Sequence, residues 1–333
     1  MKFTPSPHQA AGHAGILEAG PVFAKLTAQQ EIDFYAEARS RLDDSLDLGA
    51  NLYDWMPTFM GTLTQGAVNS PDATVINPDQ ILVDQVAEQA ALEEKYIVLQ
   101  NLLYGYKNPC ILDIKLGAVL VDDTVSEEKR LRLAKVSAET TSGSLHLRVC
   151  GMKVYNGQSD EKPPLLDETI AVESTDSGKY LKFNKFFGRS LTIENIQEGL
   201  SLFFVKSIAP ELRKALITTF YQRLQLFYNC LVDAEVRIKS GSLFFCYDAD
   251  PARWDQLQVE LYGEQDRIFD EGIAGMDDES DAGSDDETNA DCPLSRLKFI
   301  DFAHSKFTDG QGCDENVIVG VENLLKIFEQ LLQ

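Results

Sequence analysis

The chain has 333 residues, 44% of them hydrophobic, with 53 acidic against 30 basic residues and a formal net charge of −23. That length supports one large domain or two lobes around a sizeable core, and the charge argues against direct nucleic-acid binding. No apolar run reaches the ~18 residues of a membrane span, and Met1-Lys-Phe-Thr-Pro-Ser-Pro7 lacks the charged and apolar regions of a secretory signal. Cysteines 110, 150, 230, 246, 292 and 313 are scattered, with no Cys-x-x-Cys pair. This argues against a zinc site and fits reduced thiols in an intracellular protein.

In chain order, His8-Gln-Ala-Ala-Gly12-His13-Ala-Gly15 is a loose glycine-bearing stretch. Neither histidine has a cysteine or further histidine at ligand spacing, so no metal site is expected there. Val22-Phe-Ala-Lys25-Leu26 reads as a strand carrying a lysine, and Gln30 to Leu42 as an amphipathic helix with Ile32, Tyr35, Ala36 and Ala38 on its apolar side. Residues 64–93, with Asn-Ser-Pro-Asp and Asn-Pro-Asp clusters, read as a variable insertion. The apolar strand Tyr96–Gln100 then runs into a turn at Tyr104-Gly105-Tyr106.

Ile111 to Gly117 is a predicted strand, and Ser126 to Val136 a helix opened by a capping serine with Glu127 and Glu128 in its first turn. A strand over Leu145–Val154 and a polar surface loop over 157–178 follow. Ile193–Phe204 and Pro210–Lys239 read as helices, the second with a core stripe of Leu212, Leu216, Phe220, Leu224, Phe227 and Leu231. Strands at Ser242–Tyr247 and Leu297–Phe302 flank an acidic block, and Asn316–Leu332 is a closing helix. The block, 276–291, holds eight acidic and no basic residues and reads as a disordered loop, either simply solvated or serving as an interaction surface. Residues 126–153 reverse the sign locally, with six basic residues (Lys129, Arg130, Arg132, Lys135, Arg148, Lys153) against Glu127, Glu128 and Glu139. Binding of a polyanion depends on that local field more than on the total.

The chemistry concentrates in Pro109-Cys-Ile-Leu-Asp113-Ile-Lys115-Leu-Gly117. On an extended strand, positions i and i+2 share a face, so Asp113 and Lys115 converge. A carboxylate that orients a hydroxyl, beside a cation that holds a phosphate, is the minimum equipment for phosphoryl transfer. Taken alone, the pair also fits a solvent-exposed ion pair. Its company gives it context: Lys25, then Glu31, an apolar hinge, this segment, and late Phe299-Ile-Asp301-Phe-Ala-His304-Ser305. That is the parts list of a two-lobed kinase in kinase order. A Gly-x-Gly-x-x-Gly loop and His-Arg-Asp and Ala-Pro-Glu segments are missing, which disfavours an ordinary protein kinase.

The Pro-x-x-x-Asp-x-Lys-x-Gly spacing, Ile-Asp-Phe-Ala-His and Gly241-Ser242-Leu243-Phe244 before Tyr247-Asp248 resemble the inositol polyphosphate kinase family, and within it the fungal multikinases. Thr140-Thr-Ser-Gly-Ser-Leu145, Gly151-Met-Lys153, Phe187-Gly-Arg189-Ser-Leu-Thr192, Asp250-Pro-Ala-Arg-Trp254 and Gly312-Cys-Asp314-Glu-Asn316 extend the match over nearly the whole chain. The resemblance implies an α+β fold of two lobes, distantly like protein kinases, with a short helical substrate-binding insertion. An N-terminal lobe would span 1–103. A C-terminal lobe over 104–333 would include a substrate segment at 122–155 and an acidic loop at about 264–293.

The implied activity is ATP- and Mg2+-dependent phosphorylation of inositol 1,4,5-trisphosphate and tetrakisphosphate at the 6- and 3-hydroxyls, giving pentakisphosphate. The alternatives are an inositol hexakisphosphate kinase or a mainly non-catalytic transcriptional co-regulator. By the same resemblance Lys25, paired with Glu31, would reach the ATP phosphates, and backbone groups of Gln100 and Leu102 would meet adenine. Asp113 would contact the ribose and position the attacking hydroxyl, while Lys115 bridges it to the γ-phosphate. Asp301 would hold magnesium with support from Ser242. Lys129, Arg132 and Lys135, at spacing three on one helical face, would bind substrate together with Lys153 and His304; a plain solvated basic face and a structural histidine are the bland alternatives. Fungal relatives further imply MADS-box transcription regulators as partners and a nuclear and cytoplasmic location. If catalysis is the role, deleting 277–291 should leave turnover of inositol phosphates nearly unchanged, and a large loss in that assay would give the acidic block a part in the site.

Overall fold

The computed structural model describes residues 3–5, 16–64, 95–122, 125–254 and 292–333. Most of the expected insertion at 64–93 and of the acidic loop, together with His8 and His13, lies outside the described residues. Strands β1 (Thr4–Pro5), β2 (Leu17–Ala19), β3 (Val22–Leu26), β4 (Phe59–Thr64) and β5 (Lys95–Gln100) form an antiparallel sheet in the order β1-β2-β3-β5-β4. Helix α1 (Gln29–Ser40) turns Ile32, Phe34, Tyr35 and Ala38 inward, as its 3.6-residue spacing requires.

A second antiparallel sheet is built from β6 (Pro109–Leu116), β7 (Leu147–Tyr155), β8 (Ile170–Thr175), β9 (Gly178–Phe183), β11 (Ser242–Asp248) and β12 (Ser295–Ile300), in the order β12-β11-β6-β7-β9-β8. A small ribbon pairs β10 (Val236–Ile238) with β13 (Ser305–Phe307). Helices α2 (Glu127–Ala138), α3 (Thr141–Leu145), α4 (Lys185–Ser190), α5 (Ile196–Ser201), α6 (Pro210–Asp233) and α7 (Glu315–Leu331) complete the chain. Among the described residues no helix is long and apolar enough to cross a membrane.

The two faces of the second sheet have different jobs, which follows from the two-residue period of a strand. Leu112, Ile114 and Leu116 of β6, Leu243, Phe245 and Tyr247 of β11, and Leu297 and Phe299 of β12 are all buried in the core. Phe245 packs on Phe220 of α6 and Phe328 of α7, and Phe299 packs on Phe227 of α6. The alternate residues of β6, β11 and β12 therefore point away from α6 and α7, toward the first sheet. Arg296 of β12 reaches the carbonyl of Leu102, and Lys298 that of Asp54.

The two sheets are joined at the back by aromatic contacts. Trp55, in a short 3-10 helix at Leu52–Trp55, meets Phe227 edge-on at 5.2 Å and donates its indole N–H to Gly49. Phe34 of α1 stacks on both Phe302 and Phe307 with centroids 4.9 Å away.

Four local expectations need correction. The loop expected at 157–178 contains a 3-10 turn at Asp167–Thr169 and the edge strand β8, paired with a strand, β9, not anticipated at all. The helix from Pro210 stops at Asp233 rather than Lys239, because Val236-Arg-Ile238 finds a strand partner in β13. Leu145 ends α3 instead of opening β7, and His146 in the left-handed region (φ 54°) makes the turn between them. Helix α4 precedes the expected helical start at Ile193, and its Gly188 packs so tightly that a Cβ would lie 1.7 Å from the Val149 carbonyl oxygen.

Phe227 is fully buried between Trp55 and Phe299. Phe227→Ala should therefore cost about 3–5 kcal/mol of unfolding free energy by denaturant titration. A loss below ~1 kcal/mol would mean that this contact does not join the sheets.

Candidate functional site

The centre of the site is one ammonium group. Lys25, on β3, lies 2.9 Å from Glu31 Oε1 on α1 and 2.9 Å from Asp301 Oδ1 just past β12. Burial alone would lower the Lys25 pKa, but Asp301 and then Glu31 offset this and raise it above the ordinary lysine value. Glu31 is almost fully buried and also accepts from the Phe302 backbone N–H at 3.0 Å and from the Thr27 hydroxyl. Asp301 has φ 68°, a conformation a short polar side chain tolerates better than most and one that marks strain at a working position.

Strand register brings the other groups to this point. Ser242 of β11 lies opposite Lys115 on one side and Ile300 on the other, so the residue after Ile300, Asp301, lies across β11 from the Asp113/Lys115 face. Asp113 is 9% exposed, and its pKa is pushed up to about 6, first by burial and then by the Asp301 carboxylate, while Lys115, Ser242 and Lys25 pull it down. The Ser242 hydroxyl is near enough to act on Asp113 electrostatically, yet Ser242 Oγ and Asp113 Oδ1 are both buried without a hydrogen-bond partner. Lys115 donates to the carbonyl of Ser240. Thus Lys25, Glu31, Asp113, Lys115, Ser242 and Asp301 form one constellation between the two sheets.

A tethered lysine, a half-exposed acid, and a buried acid beside a second lysine are groups that phosphoryl transfer can use. A family model described as inositol polyphosphate kinase matches residues 96–329. The inositol polyphosphate multikinase of Saccharomyces cerevisiae is 40% identical over 346 residues, covering 96% of this chain and 96% of its own. This chain belongs to the inositol polyphosphate kinase family. The Schizosaccharomyces pombe inositol polyphosphate multikinase is 31% identical, covering 100% of this chain and 99% of its own. The crystal structure of the inositol phosphate multikinase Ipk2 from S. cerevisiae, in complex with ADP and Mn2+, superposes with a TM-score of 0.66 at 35% identity, covering 94% of this chain and 100% of that one.

The strand β5 leads into the segment expected to form the hinge. Gln100 is buried, and its backbone N–H donates to Thr58 at 3.0 Å. The Leu102 carbonyl is occupied by Arg296 at 2.6 Å and approached by the Cys246 thiol at 3.8 Å. The expectation that Leu102 offers its backbone to a nucleobase narrows accordingly to its N–H. Asn101, missed in the sequence, fixes the hinge by donating to Gly20 and accepting from the Leu103 N–H.

The expected substrate cations are less uniform. Lys153 points to the same face as Asp113 but is only 2% exposed, 3.2 Å from Glu173 and over the Tyr180 ring. Lys153, expected to bind substrate, is thus already paired with a carboxylate on the unanticipated strand β8. On α2, Arg132 and Lys135 are exposed and Lys129 half-buried, with Lys135 3.8 Å from Glu139. The helix is capped by Ser126, as expected, and docks through Ser137, which donates to Ala118.

His304 Nδ1 lies 2.6 Å from Asp122, a residue that carries no signal in the sequence because its partner is 182 positions away. Arg148, counted in the sequence only as part of the basic segment 126–153, and Arg296, missed there, face the site from β7 and β12. Only the register of their strands reveals them.

Asp113 provides a test of the site. Its pKa of about 6, against an ordinary 3.8, means that the folded state holds a proton that the unfolded state has released between those values. Stability from this group is complete below 3.8 and is lost as pH rises through about 6. Asp113→Asn avoids that loss and should be more stable than the parent at pH 7, by on the order of 1–3 kcal/mol. Thermal or denaturant melts across pH 4–8 would show the gap opening with pH; a variant less stable at pH 7 would contradict the burial argument.

Proposed function

We propose that the protein is an ATP- and Mg2+-dependent inositol polyphosphate multikinase, phosphorylating inositol 1,4,5-trisphosphate and its tetrakisphosphate product at the 6- and 3-hydroxyls to give pentakisphosphate. The observation that carries the reading is Lys25 held at 2.9 Å by both Glu31 and Asp301, beside the Asp113/Lys115 pair. The names of the two yeast relatives and the ADP and Mn2+ of the S. cerevisiae structure support it.

The oxygen donors here suit a hard divalent cation. Asp301 is partly exposed, and the buried Asp113 Oδ1 and Ser242 Oγ lack partners. Three oxygens do not complete a coordination shell, which fits an ion that keeps water and takes nucleotide phosphates as further ligands. When bound, such an ion supplies charge neutralisation at the phosphates.

The chain's own residues supply the remainder. Lys25, oriented by Glu31, binds nucleotide phosphates. The Gln100 carbonyl and the Leu102 N–H are the backbone groups for the adenine, since Arg296 holds the Leu102 carbonyl. Asp113, when ionised, accepts the hydrogen bond of the attacking hydroxyl and aims it, with little proton removal needed early in a loose transition state. Lys115 exchanges the Ser240 carbonyl for the transferring phosphoryl oxygens, where charge builds up.

Incubation with ATP, Mg2+ and a panel of inositol phosphates, with products separated by charge, tests the reading; the trisphosphate should progress to pentakisphosphate. Lys115→Ala should lower kcat by roughly 10²–10³, and undiminished turnover in that variant would overturn the assigned site. The free enzyme's kcat/KM should fall as pH drops through about 6, because Asp113 protonates there and can no longer accept the attacking hydroxyl's hydrogen bond as a carboxylate. A profile flat from pH 5 to 8 would remove Asp113 from that role.

A further inference from the structure

We propose that Arg148 is a phosphate-binding residue of the polyphosphate substrate site, an inference that rests on the multikinase reading above. The first support is a β-bulge. On β6 and β7, Asp113 faces Gly151, and uninterrupted pairing would then set Val149 opposite Lys115. The register instead shifts between Asp113 and Ile114, so Ile114 faces Val149 and Lys115 faces Arg148. Cys150 is the extra residue. The bulge thus keeps Val149 in the core with Ile114 and delivers a guanidinium to the side of the sheet that carries Asp113 and Lys115. Bulges beside active sites commonly re-aim a side chain in this way.

The second support is that this guanidinium is buried without an ion pair among the described residues. Arg148 is 8% exposed, and its hydrogen bond to the Thr140 hydroxyl is at the 3.5 Å limit. Its other near neighbour is the Cys150 thiol, whose pKa is raised by burial and then by Asp113, while Lys115 and Arg148 draw it down. Asp113, Lys115 and Arg148 thus all lie near enough to Cys150 to act on it. Among the described residues, no carboxylate lies within ion-pair distance of Arg148.

The other buried arginines also meet neutral groups, but through closer hydrogen bonds than the 3.5 Å one of Arg148. Arg296 donates to the Leu102 carbonyl at 2.6 Å and covers the Tyr106 ring, and Arg223 donates to both oxygens of Ser295 at 2.9 and 3.1 Å.

The third support comes from the remaining cations. Lys25 is shared by Glu31 and Asp301, and Lys153 is held by Glu173. Lys115 and Arg148 are left as neighbouring positive groups whose partners here are neutral. A buried cation in that condition is poorly solvated until an anion arrives. The planar fork of arginine matches phosphate oxygens in a bidentate way that lysine cannot.

The test uses the full chain, with Arg148→Met, which keeps the stem, and Arg148→Lys, which keeps charge without the fork. Steady-state kinetics would vary inositol 1,4,5-trisphosphate at saturating ATP and then the reverse, and calorimetry would measure trisphosphate binding without nucleotide. In Arg148→Met, trisphosphate KM and Kd should rise about tenfold or more, with the ATP KM within about twofold; Arg148→Lys should recover part of the loss. Unchanged trisphosphate KM and Kd in either folded variant would overturn the proposal, as would a lowered melting temperature with binding intact, which marks a structural role toward Thr140. If Arg148→Met does not fold, the Lys variant decides by the same criterion. Wild-type protein that binds trisphosphate without turning it over would refute the multikinase reading but leave the Arg148 comparison standing; normal turnover with unaltered variants would do the opposite.

Discussion

The ion pairing of Lys25 with two acids from different parts of the chain is the constraint on which the site depends. Glu31 comes from the helix behind the first sheet, and Asp301 from the end of the second. A buried carboxylate such as Glu31 is tolerable only when paired and hydrogen-bonded, and it is: it takes the ammonium, the Phe302 N–H and the Thr27 hydroxyl together. Removing Lys25 would leave that carboxylate uncompensated, so the same contact serves stability and alignment. The stack of Phe34 on Phe302 and Phe307 fixes the segment around Asp301 from the other side and limits where the acid can move.

Much of this was legible in the sequence, for a definite reason. Asp113 and Lys115 are two residues apart on a strand, so period alone puts them on one face. Asp301 and His304 lie in a short segment where several motif residues agree. The stripe on α6 repeats at helical spacing and all of it is buried. What escaped depended on relations between strands. Lys153 looked available because Glu173 sits on an edge strand hidden in a polar, proline-bearing stretch. Asp122, Arg296 and Arg148 gain meaning only from partners brought near by pairing. A bulge cannot be seen from one strand's alternation, since it changes which residue faces its neighbour without changing the residues themselves.

Charge behaves in the same local way. A net charge of −23 would repel a polyanion at long range. The site face nevertheless gathers Lys25, Lys115, Arg148 and Lys153, with Asp113 among them at a cost visible in its raised pKa. The excess acidity of the chain is partly concentrated in the 276–291 block, away in sequence from these residues. Screening over roughly 8 Å at physiological salt limits how far such a block can counteract cations that are themselves sheltered from water.

Several of the cations already have stand-ins for the groups a phosphorylated ligand would bring. Asp301 occupies Lys25, the Ser240 carbonyl occupies Lys115, and Glu173 occupies Lys153. His304 is similarly held by Asp122. Binding at such a face is an exchange of partners, so the net gain from any single phosphate is smaller than its direct contact would imply. The stand-ins also hold each side chain in place before ligand arrives, which reduces the entropy lost on binding. A ligand with one phosphate recovers little from this exchange, whereas one that places anions at several of these points at once displaces several stand-ins together. On such a face the difference between partial and complete exchange favours a ligand with several anions over one with a single anion, with no need for a large contact energy at any one residue.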